Sequence, residues 1–113
     1  MKVIVHNDNR ADSNFINLMD EKGLAYSRGY YFHDDKKIFY LDQLSVYVSH
    51  RNKGYGLKMQ LLREEIAKNL GFKYTMLWVV KGTWMRKWYE RRGYKYYSQH
   101  KKYNAVWLKR KII

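Results

Sequence analysis

The chain has 113 residues, no cysteine and no proline, with 23 Lys and Arg against 10 Asp and Glu, a formal net charge of +13. Without cysteine neither a disulfide framework nor a thiolate metal site can form. A hydrophobic content of 46%, with 18% aromatic residues, excludes a disordered chain. At this length a single domain over residues 1–113 is expected. The four histidines, His6, His33, His50 and His100, are scattered without ligand spacing, so no metal site is expected. The start MKVIVHNDNR lacks the apolar run of a signal peptide, and no run approaches membrane-spanning length, so a cytoplasmic protein without membrane contact is the default. The charge is uneven: net −1 over residues 1–50, +4 over 51–80 and +10 over 81–113. Such a bias points to an anionic partner for the later part of the chain.

In chain order, KVIVH reads as a short strand. DSNFINLMDEKG reads as a helix over about residues 11–22, with Asp12 or Ser13 as its N-cap, Phe15, Ile16, Leu18 and Met19 as its apolar positions, and Gly23 as its stop. The aromatic and β-branched runs LAYSRGYYFH and KIFYLDQLSVYV flank the turn DDKK and predict a β-hairpin. From Gly54 to Leu70, Met59, Leu62, Ile66 and Leu70 recur at intervals of three and four, which predicts a helix burying that face and ended by Gly71. YTMLWVV is a buried strand, GTWMRKWYERRG a short helix closed by Gly93, and YKYYSQ with NAVWLKRKI a hairpin around HKKYN. The fold class expected is α/β.

The stretch RNKGYG, residues 51–56, lies between the end of a strand and the start of a helix. The first turn of a helix leaves backbone N–H groups unpaired at the positive end of its dipole. Glycines there let an anion approach those groups, and Arg51 and Lys53 add formal charge, so the stretch suits a phosphate. The plainer reading is a tight turn in which Gly54 and Gly56 serve backbone freedom. No Gly-Lys-Ser/Thr follows, and the spacing is not that of a dinucleotide-binding loop.

These residues in this order resemble the GNAT N-acetyltransferase superfamily over about residues 37–112. Arg51-Asn52-Lys53-Gly54-Tyr55-Gly56 matches its coenzyme A signature, Arg/Gln-x-x-Gly-x-Gly/Ala. Leu44-Ser45-Val46 matches its upstream Leu-x-Val, and Tyr89-Glu90-Arg91-Arg92-Gly93-Tyr94 matches its Tyr-Glu-x-x-Gly-Phe/Tyr helix end. The resemblance implies a mixed, mostly antiparallel sheet flanked by helices, here with a shortened N-terminal section. It also implies acetyl-CoA bound by residues 51–56 and by the backbone of residues 44–46. Many relatives carry an asparagine where Gly82 stands, with Lys81 and Thr83 as its polar neighbours here.

The reaction so implied is acetyl transfer to a primary amine. In relatives the tyrosine corresponding to Tyr89 protonates the departing thiolate, a role that suits a phenol; its plainer role is packing in an aromatic cluster with Trp84 and Trp88. Asp42 shares strand parity with Leu44 and Val46 and is the candidate for the base, against an exposed hairpin carboxylate or a chain of waters; Tyr40 stands where some relatives place a glutamate. Charge makes an acidic protein or an RNA the expected carrier of the amine. The alternative function is a basic nucleic-acid-binding module on a degenerate acetyltransferase fold, with aromatic and basic residues interleaved over 84–111.

Overall fold

A computed structural model describes residues 2–113. Seven strands form one mixed sheet: β1 (Val3–Asn9), β2 (Ser13–Asp20), β3 (Ala25–Phe32), β4 (Ile38–Val46), β5 (Tyr74–Val80), β6 (Lys95–Gln99) and β7 (Ala105–Lys111). Their spatial order is β1-β2-β3-β4-β5-β7-β6, with β4–β5 the parallel pair and every other neighbour antiparallel. A 3-10 turn (Val48–His50) and helix α1 (Tyr55–Asn69) connect β4 to β5, and helix α2 (Met85–Glu90) follows β5.

Both helices lie on one face. α1 packs on β3 and β4, and α2 on β5. They also touch each other's surroundings, since Arg63 of α1 donates to the Tyr89 hydroxyl of α2. Between helices and sheet sit Ile16, Leu18, Phe39, Met59, Val79 and Leu108, all buried. Gly29 belongs to this face for steric reasons, because a Cβ there would sit 2.1 Å from the Phe39 ring.

The segment expected to be a helix over about residues 11–22 is strand β2, paired with β1 on one side and β3 on the other. Ile16 and Leu18 face the helices, while Phe15 and Met19 line the opposite face. Apolar residues on both faces hide the two-residue alternation and imitate a helical spacing. The expected stop, Gly23, instead takes φ 71° in the β2–β3 turn, where the buried Asp20 carboxylate accepts the Lys22 and Leu24 amides.

Helix α1 forms where expected, with Met59 buried and Ile66 packed against the core as expected, but the inward face is rotated away from the other two apolar positions. Its buried residues are Met59, Gln60, Arg63, Glu64 and Ala67, while Leu62 and Leu70 are exposed at 37% and 51%. The polar groups it buries are paired except for Arg63 Nε. Arg63 donates to the carbonyls of Arg28 (3.1 Å) and Gln43 (2.9 Å) and to Gln60 Oε1. Gln60, Thr75 and Glu64 converge on the Tyr94 hydroxyl, and Arg110 reaches Glu64 at 2.9 Å. Satisfied in this way, buried polar groups cease to oppose folding and fix one arrangement.

Candidate active site

Strands β4 and β5 pair only from Ile38–Tyr74 to Tyr40–Met76. Beyond that point β4 stays on β3 as far as Val46, and β5 stays on β7 as far as Val80. The two strands therefore diverge, and the β5-facing backbone groups of β4 past Tyr40 have no strand to pair with. A cleft of about 560 Å³ opens beside this splay, between β4, the start of α1 and α2.

A β-bulge sets which residues face the cleft. Ser27 pairs with Leu44 and Gly29 with Leu41, so Asp42 and Gln43 together oppose Arg28. The extra residue returns Leu44 and Val46 to the helix side, where both line the cleft. Arg63 holds the bulge from beneath through the Arg28 and Gln43 carbonyls. Asp42 is thereby separated from the parity expected for it. It lies on the opposite face, where Arg28 Nε and Nη2 both donate to its Oδ2 at 3.0 and 2.6 Å.

The loop after β4 delivers the helix terminus to the cleft. Asn52 (φ 63°) and Gly54 (φ 82°) take left-handed backbone, and Arg51 Nε donates to the Val46 carbonyl at 3.1 Å. Gly54 is the N-cap of α1, and no side chain caps the first turn or puts an acid in it. The first helical bond is from the Lys58 amide to the Gly54 carbonyl, which leaves the amides of Tyr55, Gly56 and Leu57 without helical acceptors. All three residues line the cleft.

The two glycines have different causes. Gly54 needs its positive φ, as a turn residue would. Gly56 does not, and a Cβ added to it would meet nothing nearer than Val46 Cγ2 at 3.9 Å. Its missing side chain leaves space on the cleft side of three free amides, a cradle that fits a phosphate group.

The far wall comes from α2. Trp84, Met85, Trp88, Tyr89 and Arg92 line it, and only Tyr89 of these was among the sequence-based site residues. Their spacing along one helical face, 84/85/88/89/92, was the available signal. Tyr89 is buried, edge-on to Trp88 and to Tyr94 at 4.9 and 5.4 Å, while Trp84 is 71% exposed and outside this cluster. Its hydroxyl accepts from Arg63 Nη2 at 3.3 Å, a bond that does not use the phenol proton. Arg92 lies 3.6 Å over the Trp88 ring and donates to the Trp88 carbonyl. Burial, with Arg91 adding to it, lowers the Arg92 guanidinium from its usual value, but a guanidinium stays charged at neutral pH. Beneath the wall, burial and then Glu64 push the Tyr94 phenol far above its usual range.

Of the expected coenzyme A contacts, Leu44, Val46, Arg51, Asn52, Gly54, Tyr55 and Gly56 line this cleft. Ser45 borders a smaller hollow beside Tyr26 and Tyr47, and Lys53 is exposed on the loop. The Thr83 hydroxyl is spent on its own turn, donating to the Val80 carbonyl at 2.8 Å.

Splayed parallel strands beside an uncapped helix N-terminus make up an α/β fold of the acetyltransferase type. Residues 3–94 match the model of the acetyltransferase (GNAT) family, and the chain belongs to that family. No curated protein sequence matches it. Among solved structures, a GNAT family acetyltransferase from Elizabethkingia anophelis with acetyl-CoA bound is similar at TM-score 0.70 and 9% identity, covering 96% of this chain and 97% of that one. An acetyltransferase from Bacillus cereus gives TM-score 0.69 at 20% identity, over 88% and 74% of the two chains. The PaiA N-acetyltransferase from Thermoplasma acidophilum, in complex with coenzyme A, gives 0.71 at 17%, over 88% and 61%. Among the described residues no helix is long and apolar enough to cross a membrane.

Proposed function

We propose that the protein is an acetyl-CoA-dependent N-acetyltransferase acting on a primary amine carried by an anionic macromolecule. The observation that carries this reading is the uncapped first turn of α1, opening onto the cleft beside the β4–β5 splay. Acetyl-CoA supplies an activated acetyl thioester. The amides of residues 55–57 would hold its phosphates, with Arg51 and Arg92 supplying charge. The unpaired backbone groups of β4 near Leu44–Val46 would hold its extended arm and offer an N–H to the carbonyl oxygen.

Tyr89 is given the general-acid role. Arg63 orients its hydroxyl by donating to it, so the phenol proton is free to pass to a departing thiolate in the cleft. Amines are mostly protonated at neutral pH and must lose a proton before attack. In this reading the amine enters from the helix-free face, where Asp42 stands next to the start of the splay. Arg28 engages only Asp42 Oδ2, which leaves Oδ1 to orient the amine while water takes its proton.

The macromolecular acceptor is favoured by the net +10 over residues 81–113, more than a small amine would require. The experiment is to follow thiol release from acetyl-CoA with small amines, with proteins and with RNA. Faster release with an anionic macromolecule supports the reading; release with small amines alone would restrict the enzyme to those.

A further inference from the structure

The helix-free face of the sheet carries a second surface, built from rings. Phe15, Tyr30 and Tyr40 stack across β2, β3 and β4 at centroid distances of 4.9 and 5.1 Å. Trp107 on β7 continues the row at 6.0 Å, and His100 stacks on Trp107 at 5.4 Å. Trp78 lies 5.3 Å from His100 and stacks on Tyr103 at 5.3 Å. At about 4.8 Å per strand the row spans about 19 Å from β2 to β7.

The two ends of the row differ in charge. Near β1–β3, Arg10 pairs with Asp8 and Arg28 with Asp42, so the two arginines over the Phe15 ring are neutralised. At the other end, strand alternation puts Lys109 and Lys111 on the face of Trp107, and Lys95 lies opposite Lys109. Among the described residues, no ion pair involves Lys95, Lys102, Lys109 or Lys111. Lys109 Nζ stands 4.1 Å from the Tyr74 ring and 4.7 Å from the Tyr97 ring, which interleaves charge with aromatic surface.

Two copies of a chain of net charge +13 repel each other, so this face is poorly suited to self-association. Unpaired lysines alone would accept any polyanion. The exposed rings narrow the choice, because Trp78, Tyr97 and Tyr103 keep 42%, 55% and 50% of their surface in solvent. Flat apolar groups strung on an anionic backbone match both features, and a duplex keeps such groups stacked inside.

We propose that this face binds single-stranded nucleic acid, bases resting on Trp78, Tyr97 and Tyr103 and phosphates on Lys95, Lys109 and Lys111. The strand runs past the β4–β5 splay on the side opposite the coenzyme cleft. This narrows the anionic partner of the proposed function to one class but rests on none of the residues of the acetyl-transfer site.

The test uses fluorescence anisotropy with labelled 12-nucleotide RNA and DNA single strands, a duplex of equal length, and labelled polyglutamate. Acetyl-CoA is left out, so the proposal can fail while acetyl transfer stands. The single strands should bind at least about tenfold tighter than the duplex, with affinity falling log-linearly in salt. Trp78→Ala and Tyr103→Ala should each weaken binding about fivefold to a hundredfold without changing the salt slope. Lys109→Gln should flatten that slope by about one phosphate contact. Tyr103, in an exposed turn, is the variant expected to melt like the parent. Duplex bound as tightly as single strand, or a normally melting Tyr103→Ala that binds like the parent, overturns the proposal. Polyglutamate bound as tightly as RNA would assign the face to acidic proteins instead.

Discussion

Replacing Gly56 by alanine should steady the fold and leave cofactor binding in place. A glycine inside a helix costs up to about 1 kcal/mol relative to alanine. Gly56 has ordinary helical backbone, and the nearest atom to an added Cβ is 3.9 Å away, so the structure offers no steric penalty to offset that gain. The unliganded variant should therefore melt as high as the parent or up to about 4 °C higher. In the parent, acetyl-CoA at a hundredfold over its Kd stabilises by about 2.7 kcal/mol, a shift of about 10 °C for a domain of this size. The coenzyme A signature accepts alanine at this position, and a single methyl leaves the free amides open, so a Kd within about threefold of the parent's is expected. The shift in the variant then stays within about 3 °C of the parent's at the same ligand concentration. Differential scanning fluorimetry with and without acetyl-CoA reads both numbers. A variant that loses the ligand shift while still folding would contradict the match of residues 51–56 to that signature. One that melts well below the parent without ligand would show that Gly56 serves the fold.

Tyr89→Phe keeps the ring against Trp88 and Tyr94 and removes only the hydroxyl; turnover should fall about a hundredfold to ten-thousandfold with acetyl-CoA affinity and melting temperature held. Parent-like turnover, with chemistry rate-limiting, would remove the general-acid role. Arg63→Met keeps much of the side-chain volume but leaves the Arg28 and Gln43 carbonyls and Gln60 Oε1 without their donor, and should destabilise the fold by about 3 kcal/mol or more in urea unfolding. A loss under about 1 kcal/mol would show that the bulge does not depend on Arg63. The Tyr94 phenol is raised, so the fold keeps it neutral. Below about pH 10 folded and unfolded chains hold the same proton, and above it only the unfolded chain ionises. Stability should then fall by about 1.4 kcal/mol per pH unit from this group, and Tyr94→Phe should show a correspondingly shallower decline between about pH 10 and 11. Equal slopes in parent and variant would contradict the buried, neutral phenol.

Much of this architecture was legible in the chain because local signals agreed with the final packing. The hairpin around residues 33–37, helix α1, strand β5 and the closing hairpin all have turn residues and periodicity of one kind. Strand β2 was not legible, since Phe15 and Met19 serve the ring-covered face while Ile16 and Leu18 serve the core. A strand apolar on both faces and a helix share the same short-range pattern. The inward face of α1 was legible at Met59 and Ile66 and misread at Leu62 and Leu70, for a related reason. Hydropathy favours Leu62 and Leu70, yet the groups buried are Gln60, Arg63 and Glu64, whose partners are carbonyls of β3 and β4, the Tyr94 hydroxyl and Arg110 of β7. The expected parity of Asp42 failed on a single inserted residue, which no alternation pattern reveals. The phosphate loop was readable because its chemistry is local: positive-φ positions, a missing side chain and an uncapped helix start all lie within residues 51–57.

The central claim is that the cleft beside the β4–β5 splay is an acetyl-CoA site, and titration calorimetry of acetyl-CoA into the parent chain and into Gly56→Glu tests it most directly. The glutamate places a carboxylate among the free amides of α1, where phosphate should lie. The account predicts one saturable site per chain in the parent, displaced by free coenzyme A, and no measurable binding in a Gly56→Glu chain that still folds. A parent that gives no saturable heat, or a Gly56→Glu variant that binds as the parent does, would contradict it.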